Sequence, residues 1–412
     1  MKTRIPRALA ITLAVAGTAH AAGLDPVWGA LGETKPIVDA RLRMENVDQA
    51  PIANDAHAVT LRMRLGFETG KAWNTSLLVE GEGIVPIQGN YRIDPTIPKK
   101  TTYPLVPDAE TYEFNRLQLM NTSIPGTTIT LGRQRIGLDD QRFVGGVAWR
   151  QNEQTFDALR VVNKSIANLT LDASYVNQVN RVFGRDSRQG HYTGDNLLLN
   201  AGYQTKVGKI TAFSYLLDIE NIVGVAGAVR DSSSTYGLRF AGDKPMGKIK
   251  LGYSASYATQ SDYADNPLSF DLDYFAGEIS ATFKQYTLGV GTEQFEGNGV
   301  KGFTTPLATL HKFNGWADKF LTTPANGLED KYVNLGATLK GVGPLDTLGF
   351  VLSFHDYDAQ HITSDYGDEW NASIAAKIKR VNLLLKYADF QQGHLATARD
   401  TAKMWAQVEF IW

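Results

Sequence analysis

The sequence predicts an all-β fold: a transmembrane, antiparallel, up-and-down barrel of about eighteen strands with short periplasmic turns and long extracellular loops. Three observations predict it. Apolar and polar residues alternate in segments of roughly ten residues from Pro36 to Trp412. The connections between segments are alternately short and long. The chain opens on an export signal and closes on an aromatic residue.

The start, "MKTRIPRALAITLAVAGTAHAAG", carries Lys2, Arg4 and Arg7, then an apolar run from Ala8 to Gly17, then an A-x-A site at Ala19 to Ala21. This is the layout of a signal peptide over residues 1–21, its apolar run too short for a spanning helix. A periplasmic segment, 22–35, is expected next, and the barrel over 36–412. Cleavage removes three of the 41 basic residues and none of the 43 acidic ones, so the exported chain is acidic. That balance argues against a nucleic-acid partner. There is no cysteine, so stability must come from backbone pairing and burial.

The alternation fixes the strands. "VDARLRMEN" sets Val38, Ala40, Leu42 and Met44 against Asp39, Arg41, Arg43 and Glu45. "TLRMRLGF" sets Leu61, Met63, Leu65 and Phe67 against Arg62 and Arg64, and "TYGLRFAG" sets Tyr236, Leu238 and Phe240 against Arg239. Strands are expected to centre near 42, 63, 78, 117, 131, 159, 173, 200, 213, 238, 254, 277, 289, 335, 351, 373, 385 and 407. In lipid every backbone polar group needs a partner within the protein, so such a sheet closes on itself with its apolar face outward. Tyr175, Tyr203, Tyr215, Tyr253, Tyr257 and Tyr387 are placed in interfacial girdles. The last strand ends on Phe410 and Trp412, resembling the signal by which the outer-membrane barrel assembly machinery selects its clients.

Parity then sends charge inward. An arginine at mid-membrane on the lipid face costs about 2–4 kcal/mol, so Arg41, Arg43, Arg62, Arg64, Arg116, Arg160 and Arg239 are assigned to the lumen. Glu80 and Glu82 share that face and brace part of it as ion pairs. The remaining arginines are expected to stand unpaired in a water-filled channel and select anions. Arg133 and Arg135 conflict with strict alternation, because Ile129 and Leu131 face lipid. A bulge at Gly132 is expected to turn at least one inward.

Two loop motifs stand out: "GRQRIGLDDQRFVGGVAWRQNEQTFDALR" (132–160) and "FTTPLATLHKFNGWADKFLTTPANGLED" (303–330). Both resemble the alginate-export outer-membrane porin family, with a weaker likeness from about Pro36 to Trp412. The resemblance implies an eighteen-stranded monomer whose arginine-rich constriction passes an anionic uronate polymer. It implies that Arg133, Arg135, Arg142, Arg150 and Arg160 are positions for that constriction, and that Trp149, Asp157, Trp316 and Asp318 hold loops in place. The sequence departs from the dedicated exporter at "GVGPLD" (341–346), a turn too short to plug a lumen, which leaves a largely open, substrate-selective porin equally consistent. The loop 296–329 is too apolar to dangle in water. It is expected as a compact, partly helical segment over or in the pore mouth.

An outer-membrane enzyme and a plugged structural barrel are the rival classes. None of the histidines has zinc-ligand spacing or lies beside a G-x-S-x-G turn, so no metal, cofactor or catalytic set is expected. His311 is read as a loop-packing residue. Asp139 and Asp140 in "DDQR" are read as a rim acid pair held by solvent or ion pairs. The expected partners are therefore an anionic solute or polysaccharide and outer-membrane lipid. A general sugar or small-solute porin is the alternative.

Overall fold

The computed structural model describes residues 24–220, 222, 228–394 and 398–412; the signal peptide expected over 1–21 lies outside them. A short helix, α1 (Asp25–Gly32), precedes the barrel. Strands β1 (Lys35–Gln49), β2 (Ala56–Glu68), β3 (Thr75–Asn90), β4 (Thr111–Asn121), β5 (Thr127–Gln134) and β6 (Thr155–Asn163) form its first third. Next come β7 (Leu169–Asn180), β8 (His191–Thr205), β9 (Gly208–Leu217), β10 (Ser233–Met246), β11 (Ile249–Asp262) and β12 (Asp271–Phe283). The last third is β13 (Tyr286–Phe295), β14 (Leu328–Val342), β15 (Leu345–Asp358), β16 (Asp365–Ile378), β17 (Val381–Gln392) and β18 (Thr401–Ile411). Each expected strand centre falls inside one of these strands.

Every strand pairs antiparallel with its sequence neighbours, and β1 pairs with both β2 and β18, closing one 18-stranded sheet. Closure removes both sheet edges, which a membrane would leave unpaired. Connections on the side of the chain's start run two to six residues, while the opposite side carries 91–110, 135–154, 218–232 and 296–327. The long connection after β3 begins only at residue 91, because β3 continues to Asn90.

The faces fall as the alternation requires. Leu65 is 55% exposed and Leu238 58%, whereas Arg62 is 0% and Arg64 3%. Leucines outside and guanidinium groups inside describe a barrel whose solvent is lipid. Of the tyrosines placed in girdles, Tyr175, Tyr203, Tyr257 and Tyr387 are exposed on the outer face. Tyr215 is not: it is buried on the inner face, stacked 4.9 Å from Phe213.

The expected bulge at Gly132 is absent. Gly132 has φ +111° and a Cβ there would meet the Leu117 carbonyl, so only glycine fits, yet pairing runs through it without a register shift. Arg133 stays in register with Leu117 and Asp157 and binds Asp157 at 2.7 Å. Arg135, one residue beyond β5, does reach inside, to Glu153 at 2.5 Å and Glu80 at 3.6 Å. It turns inward because the chain leaves the strand there.

Candidate functional site: the lumen and its two inward loops

The first four strands and β18 supply an ion-pair lattice on the inner wall. Arg41 donates to Glu409 at 2.6 Å, and Arg62 spans Asp39 at 2.6 Å and Glu409 at 3.1 Å. Arg64 donates to Glu82 and lies 3.5 Å from Glu153; Arg116 binds Glu80 at 2.6 Å. Further round the wall, Arg160 meets Asp172 at 2.5 Å and Arg239 meets Asp140 at 3.0 Å. The expectation of unpaired lumen arginines is therefore corrected. Each arginine assigned to the lumen has a carboxylate within 4 Å; the loosest is Arg43, which lies 3.9 Å from Asp108 and donates to Gln407 instead. A desolvated guanidinium is too costly to leave without a partner.

The loop 135–154 is no extracellular rim. It crosses the lumen, and the wall arginines hold its backbone: Arg41 donates to the carbonyls of Ala148, Trp149 and Arg150, and Arg43 to that of Trp149. Arg150 binds Glu45 at 3.0 Å, and Arg142 binds Glu293 at 2.7 Å. Asp139 receives Lys209 at 3.0 Å. Asp139 and Asp140, read as a rim pair, together with Arg142, Trp149, Arg150 and His311, thus tie loop to wall, or loop to loop, within the barrel.

The second loop, 296–327, packs on the first. Val144 and Leu307 form a parallel bridge, and Thr309 donates its backbone N–H to the Gln141 carbonyl at 3.0 Å. Phe303, Leu307 and Phe320 are buried, as the apolar sequence required. The helical content expected for "ATLHKFNGWADKFL" reduces to one 3-10 turn, Leu310–Lys312. Gly315, at φ +79°, lets the following chain approach β16, where Glu369 receives the N–H groups of Trp316 and Ala317.

The loops meet at an aromatic stack. Trp149 lies parallel to His311 with centroids 4.4 Å apart, and Trp405 of β18 meets both edge-on at 5.7 Å. Arg43 and Lys386 sit 4.1 and 4.2 Å from the centre of the Trp149 ring. His311 Nδ1 is 2.6 Å from Asp318 and Nε2 is 2.7 Å from Lys386 Nζ. Burial holds the His311 imidazole well below its ordinary pKa, so it is neutral, with Nδ1 donating and Nε2 accepting. Asp318 also receives Lys403 at 2.8 Å.

Above this stack lies a cavity of about 570 Å³. Its wall carries five cations (Arg150, Arg181, Lys319, Arg399 and Lys403) against the single carboxylate of Asp318. Among the described residues no carboxylate lies within ion-pair distance of Arg181, Lys319 or Arg399. Lys319 donates to Thr401, Arg399 to Gln392 and Arg181 to the Gln189 carbonyl. Burial, with the charge of Lys403, lowers the Lys319 ammonium to about 8. Apolar surface from Leu105, Phe183, Pro306 and Leu321 completes the wall. None of the three unpaired cations was singled out from the sequence. Arg181 directly follows β7, Lys319 lies within the loop 296–327 and Arg399 comes just before β18, and only the folded loops bring them together.

The barrel's shape has close parallels among solved structures. Pseudomonas aeruginosa OpdK with vanillate superposes at a TM-score of 0.71, with 14% identity over 93% of this chain and 100% of that one. Acinetobacter baumannii OccAB3 gives 0.71 at 12% identity over 92% and 99%. A BenF-like porin from Pseudomonas fluorescens Pf-5 gives 0.69 at 15% identity over 93% and 100%.

The chain has the fold of an outer-membrane porin.

At these identities the likeness carries the fold alone. No protein-family model and no curated protein sequence matches the chain. Nothing in these comparisons supports the alginate-export family suggested by the two loop motifs.

Proposed function

We propose that this porin draws small anionic solutes into the cavity above the Trp149–His311 stack and passes them through the barrel past its two inward loops. One observation carries the reading: three cations on the cavity wall, Arg181, Lys319 and Arg399, have no carboxylate in ion-pair distance among the described residues, while Arg150 and Lys403 are paired with Glu45 and Asp318. Excess like charge in a low-dielectric recess concentrates the opposite ion and fixes the sign of selectivity. The apolar wall favours an organic anion over a fully hydrated one. OpdK, a neighbour in fold, was solved with vanillate, itself a small carboxylate. A uronate polymer fits less well, since the loops 135–154 and 296–327 would both have to leave the lumen.

A second reading, a general small-solute porin, is favoured by the pairing of wall arginines with carboxylates. Swelling of proteoliposomes separates the two. An aromatic carboxylate should enter several-fold faster than a neutral sugar of equal size, and uronate oligomers should stay out. Equal rates for acid and sugar would favour the general porin; entry of the oligomers would restore the polymer reading.

A further inference from the structure

The outer wall carries a depression of about 540 Å³ over β13 to β18, far from the lumen path. Cross-strand register places Tyr286, Ala337, Phe350, Ile374 and Leu385 in one row. Leu352, Ala372, Tyr387 and Met404 form the next row outward from the turns. Ala337 and Ala372 are the small residues in a surface otherwise built of large ones, so the wall is hollowed where they stand. The rows lie about four to seven residues from the periplasmic ends of β14 to β17, about 10–20 Å along tilted strands. That matches the depth of one leaflet, half of a hydrocarbon core about 30 Å thick.

The periplasmic rim beside this hollow is basic. Arg380, in the turn between β16 and β17, stacks 3.9 Å over the outward Trp412 ring. Lys379 precedes it, and Lys284, in the turn next to Tyr286, lies 5.4 Å from the Phe283 ring. Among the described residues no carboxylate forms an ion pair with any of the three side chains. The nearby Asp346 carboxylate accepts from the backbone N–H of Lys379. Aromatic rings hold Arg380 and Lys284 at the headgroup level, where each basic residue favours anionic lipid about fivefold.

We propose that this face binds one anionic glycerophospholipid of the periplasmic leaflet, its phosphate on Lys379 and Arg380 and an acyl chain in the hollow over Ala337 and Ala372. Neither feature would suffice alone. The hollow is continuous with the lipid-facing belt, and the charge at its rim selects the headgroup.

Native mass spectrometry of the full protein in detergent, titrated with phosphatidylglycerol or phosphatidylethanolamine, tests it. The protein should retain one phosphatidylglycerol with about thirtyfold preference, the product of two basic residues. The Lys379→Gln/Arg380→Gln variant should lose the preference while still holding lipid. Ala337→Leu/Ala372→Leu, which adds apolar bulk to a lipid-facing surface and leaves the barrel intact, should lose retained lipid of either kind. Equal retention of the two lipids by the native protein, preference surviving the charge change, or lipid surviving the filled hollow would each overturn the assignment. So would a protein dimer that the filled hollow abolishes.

Discussion

Replacing Lys319 and Arg399 by glutamine removes two of the five cations that face the single carboxylate of the cavity. A volume of 570 Å³ corresponds to a radius of about 5 Å, which puts a wall charge about 7 Å from a solute on the axis. At that distance in a water-like medium one charge contributes about 0.6 kcal/mol, and about half of that survives screening at 0.1 M salt. Each cation then enriches anions about 1.6-fold and depletes cations equally, so two cations change the anion-to-cation ratio about sevenfold. The assay is the reversal potential across a planar bilayer under a dilute KCl gradient. The variant should move toward neutrality by that ratio, and the difference should shrink at 1 M salt, where the Debye length is about 3 Å. A change under about twofold in dilute salt would refute the placement of selectivity in this cavity.

Other outcomes follow from the same geometry. Because the Lys319 ammonium titrates near 8, it is charged at neutral pH and loses its charge as pH rises through that value; anion preference should fall between pH 7 and 9, and Lys319→Gln should abolish the dependence. Arg62→Ala leaves Asp39 facing only Arg64 at 4.0 Å in the wall lattice. It should cost about 3–5 kcal/mol in denaturant unfolding, the scale for a broken buried pair, and a loss below about 1 kcal/mol would contradict the bracing role. Arg160→Ala should lower anion preference by exposing Asp172, while the Arg160→Ala/Asp172→Ala double variant should return to native selectivity. A double variant no better than the single would mean that the pair does not compensate.

The wall was legible because a period of two is local: Met404 outward and Trp405 inward can be read from neighbours in sequence. The interior was not, because its partners are set by barrel closure. Arg41 and Glu409 are brought together only when β1 pairs with β18. Isolated arginines therefore read as free charge where the fold supplies carboxylates. The inward course of 135–154 was equally hidden, since its anchors are backbone carbonyls of residues 148–150, which leave no mark on the sequence. The apolar texture of 296–329 did report burial, because side chains such as Phe303 and Phe320 must pack whichever way the loop folds. Gly132 was recognised as special for the wrong reason: its positive φ accommodates a close approach of β4 without shifting the register.

Everything about transport here depends on the two loops narrowing the barrel at the Trp149–His311 stack. Single-channel recording of the native protein beside Trp149→Ala tests that most directly, since the substitution removes the ring that His311, Arg43 and Lys386 enclose. Small, anion-favouring steps from the native channel and clearly larger steps from the variant are predicted. Equal conductance in the two, or no current from either, would contradict it.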